Sequence, residues 1–477
     1  VQLPAQCVDN LLVEHVSVNS EVVSPETSSN DAQPPTSADF VSPRIAGIDR
    51  QIMLELIKLA RFNLNFHRSL NQKTFYQEWL YPMFREAGTA LSFSNTIVDI
   101  TQRAEVLENP RQINRSALKR GVECALIGQA ITGTSSGASL VTNLIQSSQA
   151  RAAGYSPSRS IATVKGIVAG IDQLLAQRNR TMEEEHIDAQ QHIYGLQGRM
   201  LEHLRNQLVF EFKTWSIQSR STEWSEDTFY AIDSAQGFTQ MASSCASLKA
   251  FSNSSVGGTA AITSLVANCM VTVNPLVRTA VGGAAANIQR KRLDREFPTP
   301  KPKSIDKVLA EEGESMAIAK KASATTKETE ELAFLVRQSA DFDVPLNQEV
   351  ARFEKLRRIA DQQAVSGPLI GLTGVIRGIL NTTAHYYRVN HPDTPSAASS
   401  QSASTHTQFV VNDLNFAGRL VQSTGQVYSL ILTPATEIRH FVYKRRLQRA
   451  GREPKQVLQA RLNRLDELEV RIKAGKY

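Results

Sequence analysis

The sequence predicts an all-α protein: an elongated bundle of long antiparallel amphipathic helices with coiled-coil character, Gly/Ala/Ser-rich helical segments, and an extended N-terminal arm. Aromatic residues make up only 6% of the 477, too few for a sandwich or barrel core but enough for helices packed through small side chains. Apolar residues recur every three to four positions over unusually long stretches. Pro and Gly punctuation is confined to a few places. Hydrophobic residues at 41% and charged residues at 21% exclude wholesale disorder. No charge-free run reads as strongly apolar over about 20 residues, which argues against an ordinary transmembrane helix.

Residues 1–45 read as an arm rich in Ser, Thr and Pro that cannot bury a core. In 46–160, an N-terminal helical region, Ile48, Ile52, Leu56, Leu59, Phe62 and Phe66 trace one helix face, with interruptions expected at Pro82 and Gly88 and a break at Asn109-Pro110. Region 161–297 is Pro-free as far as Phe251. There Leu174, Leu175, Met182, Ile193, Leu196, Met200, Leu204, Leu208 and Phe212 keep helical spacing, so one or two very long helices and a hairpin are expected. Region 298–390 repeats that character, 391–407 reads as a Ser/Ala/Pro-rich loop, and 408–477 as a basic helix followed by a short coiled-coil seam at Leu458, Leu462, Leu465 and Ile472.

Four segments, 125–150, 250–289, 365–380 and 416–436, are nearly charge-free and rich in Gly, Ala, Ser and Thr. Gly128, Gly133 and Gly137 recur every four or five positions, and Gly371, Gly374 and Gly378 every three or four. Such spacing places small residues on one helix face, where backbones can approach closely. Gly257 and Gly258 read as the turn of a helical hairpin and as further packing positions. Basic clusters follow the small-residue segments, notably Arg290-Lys291-Arg292 and Lys444-Arg445-Arg446, and are candidates for contact with a membrane surface or a protein partner.

The net charge of +7 fits an anionic partner. Nucleic acid is not expected, because no reading module or aromatic interleaving accompanies the basic clusters. Tyr386, Tyr387, Phe441 and Tyr443 beside Arg388 and Arg439 resemble instead the aromatic and basic rim of a membrane interface or protein contact.

The four cysteines, Cys7, Cys124, Cys245 and Cys269, form no CxxC or Cys/His pattern. A zinc site is therefore not expected. With a turn at Gly257-Gly258, Cys245 and Cys269 would stand level on the two hairpin arms and are candidates for a disulfide, leaving Cys7 with Cys124. The chain opens Val1-Gln2-Leu3-Pro4 without Met, from which a removed presequence and export to the cell envelope or outside are expected.

Catalytic patterns do not survive inspection. Gly133-Thr134-Ser135-Ser136-Gly137 matches the GxSxG elbow, but no strand precedes it. Glu183 with His186, and Glu437 with His440, form ExxH pairs in solvated or basic surroundings unsuited to a metal. No enzyme, cofactor, metal or small-molecule substrate is expected. The sequence points to a non-enzymatic exported structural protein, a homo-oligomeric ring, tube or scaffold in the cell envelope, with other envelope proteins as further candidate partners. An α-helical pore-forming toxin that inserts the 250–289 hairpin is the alternative.

Overall fold

The computed structural model describes residues 42–70, 76–108, 114–186, 192–298, 368, 370–391, 400–450 and 454–474. The arm with Cys7, and the expected long helix between 299 and 367, lie outside these residues. Everything described belongs to one compact unit that begins at Ser42. Among the described residues the secondary structure is helical and there is no strand.

Helix α1 (Pro43–Leu70) is followed by a π-turn at Tyr76–Leu80 and by α2 (Tyr81–Glu108). Asn114 caps α3 (Arg115–Ala150) by accepting a hydrogen bond from the Ala117 amide at 3.1 Å. A π-turn, Arg151–Tyr155, bends the chain at Gly154, whose φ of 94° favours glycine. Ser156 then caps α4 (Pro157–Glu184), with Pro157 in its first turn. The Pro-free stretch forms α5 (His192–Ala250), 59 residues long or about 88 Å. After a 3₁₀ turn at Ser254–Val256 comes α6 (Gly257–Glu296). Helix α7 spans 370–390, α8 is Ser400–Arg449, and α9 is Pro454–Lys473. Helix α8 thus begins inside the expected 391–407 loop, because Ser400 to Thr407 lack further Pro or Gly. Gly88 likewise does not interrupt α2.

The unit has two differently built parts. The first, here the head, joins α1, α4, the first half of α5, the end of α6 and α9 around an apolar core. Ile52, Leu59, Val164, Ile171, Met200, Phe212, Leu293 and Ile472 are fully buried there, each contributing about 1.5–3 kcal/mol. Phe62, Phe66, Tyr155 and Phe212 stack at its centre with ring centroids 5.3 to 6.4 Å apart. The seam Leu458, Leu462, Leu465 and Ile472 of α9 packs into this core beside the chain's own α1. Arg61 fastens it by donating to Asp466 at 2.6 Å and to Glu469 at 2.5 Å.

Arg178 of α4 is fully buried in the head. It donates to Asp49 at 2.7 Å and to the Tyr194 carbonyl at 2.9 Å. Burial raises the Asp49 carboxyl above its ordinary value, while Arg178 opposes that rise. Arg178→Ala leaves Asp49 without its buried partner and is expected to cost about 3–5 kcal/mol; urea unfolding measures it, and a loss below 1 kcal/mol contradicts this role.

His67, on α1, is buried with its ring 4.4 Å from Trp215. Burial, and secondarily the charge of Arg461, pushes its pKa down from 6.5 to about 4. As pH falls through 6.5 the unfolded chain takes up a proton here, and the folded chain does not until about pH 4. Stability contributed by neutral His67 is thus present above pH 6.5 and lost below it, by at most ~3 kcal/mol. Urea midpoints should fall between pH 7 and pH 4.5 in the wild type and fall less in His67→Phe; an equal fall in both assigns the effect to other groups.

Candidate functional site

The second part of the unit is a bundle of α2, α3, the second half of α5, α6, α7 and α8, and small residues set its spacing. A Cβ built on Gly128 would stand 2.5 Å from the Gly88 carbonyl oxygen, and one on Gly121 2.8 Å from Asn95 Oδ1, so α2 and α3 run antiparallel in near-backbone contact. A Cβ on Gly237 would meet the Gly133 Cα at 2.5 Å, and Ser244 Oγ donates to Gln129 at 2.7 Å, which joins α3 to α5. Ser221 and Ser243 of α5 donate to the carbonyls of Gly282 and Ala260 on α6. Gly371, Gly374 and Gly378 of α7 face Thr272, Asn268 and Leu265 of α6, while Gly258 faces His385.

On its other side α7 meets α8, with Gly418 over Arg377 and Gly425 over Thr373. Helix α8 returns to α2 through an Arg419–Asp99 ion pair and a Phe441–Trp79 ring contact at 4.9 Å. Each helix is therefore antiparallel to the next, and the sixth closes on the first.

Gly133 and Gly137 both face α5, where a Cβ built on Gly137 would lie 3.2 Å from Ser234 Oγ. The GxSxG stretch lies mid-helix, with Ser136 donating to Asp233 at 2.5 Å. Gly88, Gly121, Gly237, Gly282, Gly418 and Gly425 serve the same contacts; Gly88 reads from the sequence as a helix interruption, and none of the six stands in a glycine series at helical spacing that would single it out.

The pairings along α5 and α6 correct the cysteine expectation. The hairpin turns at 251–256, and Gly257 and Gly258 already belong to α6. The pairs Ser221–Gly282 and Ser243–Ala260 set the register, which puts position 245 level with 258. Cys269 lies eleven residues further on, about 16 Å along the axis. Cys124, Cys245 and Cys269 are free thiols, the last two exposed, so the disulfide expected between Cys245 and Cys269 does not form. Cys7 lies outside the described residues.

Many large apolar side chains lie on the outside of the bundle, with exposed charges such as Lys119, Glu123 and Arg388 toward the helix ends. Except for Val470, every exposed large apolar residue among the described ones lies in these six helices or beside them in the α2 and α6 turns, including Ile127, Val141, Leu144, Leu276, Ile288, Ile376, Ile431 and Ile438. Helix α6 is long and apolar enough to cross a membrane, and only 22% of its most apolar stretch is buried inside the protein. This differs from the expectation that no charge-free run is strongly apolar over about 20 residues, which argued against an ordinary transmembrane helix. Gly, Ala, Ser and Thr dilute its hydropathy, and the split of its charges toward Arg278 and the C-terminus hides its length.

Charged and polar groups collect between the helices. Asp233 accepts from Tyr81 at 3.2 Å and from Ser136, with Arg85 4.0 Å away. Arg85 and Arg278 both stand over the Phe229 ring, their guanidinium carbons 5.4 and 5.3 Å from its centroid. Nearer the opposite end, Asp99 joins Arg103 at 2.8 Å and Arg419.

At the head-side end, Arg290, Lys291 and Arg292 are exposed just before the buried Leu293. Arg445 and Arg446 are exposed at the same end, Arg445 over the Phe441 ring at 4.6 Å, while Lys444 is half-buried. The two basic clusters therefore border the same end of the bundle, with Trp79 among them.

The spacing yields a paired expectation. An alanine Cβ at 371 would lie 2.5 Å from Thr272 Oγ1 and 2.6 Å from its backbone nitrogen, so Gly371→Ala should destabilise by about 1–3 kcal/mol. Gly283 is in the same bundle with nothing near its Cβ position, and Gly283→Ala should stabilise by roughly 0.5–1 kcal/mol. Thermal unfolding of both variants checks this, and shifts of the same sign contradict it. Comparison with protein-family models, with curated proteins and with solved structures finds no match to this chain.

Proposed function

We propose that this protein is a non-enzymatic structural protein of a cell envelope, whose six-helix bundle sits in a lipid bilayer and whose apolar-cored head stands in water. The observation that carries the reading is the inverted distribution of side chains: large apolar groups outside the bundle, charged groups between its helices. In water such an exterior is costly. In hydrocarbon it is favourable, and buried charges then face the bundle interior. Small residues at helix contacts fit the same setting, because packing rather than hydrophobic burial holds helices together in lipid.

The charge-free stretch of α3 from Cys124 to Ala150 is 27 residues, about 40 Å and sufficient for a hydrocarbon layer of about 30 Å. Arg290, Lys291, Arg292, Lys444, Arg445 and Arg446 lie at headgroup level in this reading, with Trp79 and Phe441 at the boundary. Export, a homo-oligomeric scaffold, and coiled-coil pairing of long rods between copies are parts of the same proposal.

Cys269 is exposed between Val266 and Val273 on the outer face of α6. With the full chain in phosphatidylcholine liposomes, a water-soluble maleimide should leave Cys269 unlabelled until the protein is denatured, and alkaline carbonate should leave the protein in the membrane fraction. Prompt labelling together with carbonate release would overturn the bilayer reading. A water-soluble monomer that releases calcein from liposomes would replace it with the pore-forming toxin.

A further inference from the structure

We infer that the interior of the bundle holds an inorganic oxyanion of phosphate or sulfate size at a site made by Arg103, Arg377 and Arg419. The three guanidiniums come from α2, α7 and α8: Arg103 and Arg419 pair with the Asp99 carboxylate, and Arg377, near enough to feel its charge, makes no ion pair with it. Asp99 is already engaged: Arg103 Nε donates to it at 2.8 Å, and Arg419 pairs with its other oxygen. Arg377 is left over. Its Nε is buried and makes no hydrogen bond within the protein. Among the described residues, Arg419, Asp99 and Arg103 are the charges that act on it.

The backbone is arranged to bring Arg377 to this place. Its stem passes beneath α8 at Gly418, where a Cβ would lie 3.4 Å from Arg377 Cγ, and the next residue along α8 is Arg419. Among the described residues three cations stand against one anion here, an excess of two positive charges that is unfavourable without a counter-charge. Guanidinium forks match the paired oxygens of an oxyanion, donating two parallel N–H bonds, and do so better than they match a spherical halide. The anion supplies the missing negative charge and satisfies Arg377, while Asp99 keeps Arg103 and Arg419 oriented toward it.

The inference does not depend on the bilayer reading, since the site lies between helices and is measurable with the full chain in detergent micelles. Thermal unfolding is followed against sodium phosphate and sodium sulfate, with sodium chloride at matched ionic strength. The wild-type midpoint should rise with phosphate or sulfate and not with chloride. Arg377→Gln should lower the apparent oxyanion affinity at least tenfold, Arg377→Lys should recover part of it, and Asp99→Asn should tighten binding by removing the competing carboxylate. A destabilised fold alone would not produce tighter binding in Asp99→Asn. The proposal is overturned if chloride matches phosphate, or if Arg377→Gln responds to phosphate as the wild type does. Oxyanion binding together with carbonate release would retain this site and remove the bilayer reading.

Discussion

Close approach of helix backbones at small residues is the constraint on which the bundle depends. Where Gly133 meets Gly237, Gly128 meets Gly88, or Gly371 meets Thr272, no space remains for a methyl group at the contact. Helices this close hold few large side chains along their seams, the buried Tyr81 and Tyr230 being exceptions. Most large apolar residues then lie on the outer surface, and what lies between the helices is largely Ser, Thr, Asn, a few charged groups and the buried Tyr81 and Tyr230. The inverted exterior is therefore a geometric consequence of the small-residue seams. A bundle with leucine seams would have placed its apolar groups inside.

The head follows the opposite rule, with Ile, Leu, Val and Phe filling its centre and charged side chains on its surface or in ion pairs. Helix α5 belongs to both parts. Its first half supplies Met200, Leu208 and Phe212 to the apolar core, and its second half supplies Ser234, Gly237 and Ser243 to the bundle seams. One continuous 59-residue helix carries this change without a Pro or a break, so the two parts share a rigid element. Helix α6 also ends in the head, through Leu293 and Phe297.

Much of this was legible in the chain. Apolar spacing located the head helices, and Pro-free length announced α5. The series Gly371, Gly374 and Gly378 marked a seam because three small residues at helical spacing have few other uses. Isolated glycines such as Gly237 and Gly418 carried no such signal, since each completes a contact with a residue far along the sequence. Gly257-Gly258 misled in the other direction. Two adjacent glycines read as a turn, but Ser252 and Asn253 turn the chain and the glycines admit His385 against α6. The cysteine pairing failed with that turn, because shifting the hairpin by a few residues displaces positions on its two arms in opposite directions.

The sequence by itself determined the helical class and marked the Pro-free run that forms α5, the apolar faces of the helices and the glycine series at helical spacing, because these follow from local spacing and side-chain size. Only the tertiary structure decided that α8 returns to α2, that Arg103, Arg377 and Arg419 gather about Asp99, and that apolar side chains face outward. Those outcomes depend on the register between helices. A residue's rotation about its own helix axis fixes its neighbours only once the partner helix and its offset are set, and composition and periodicity along one segment do not contain that offset.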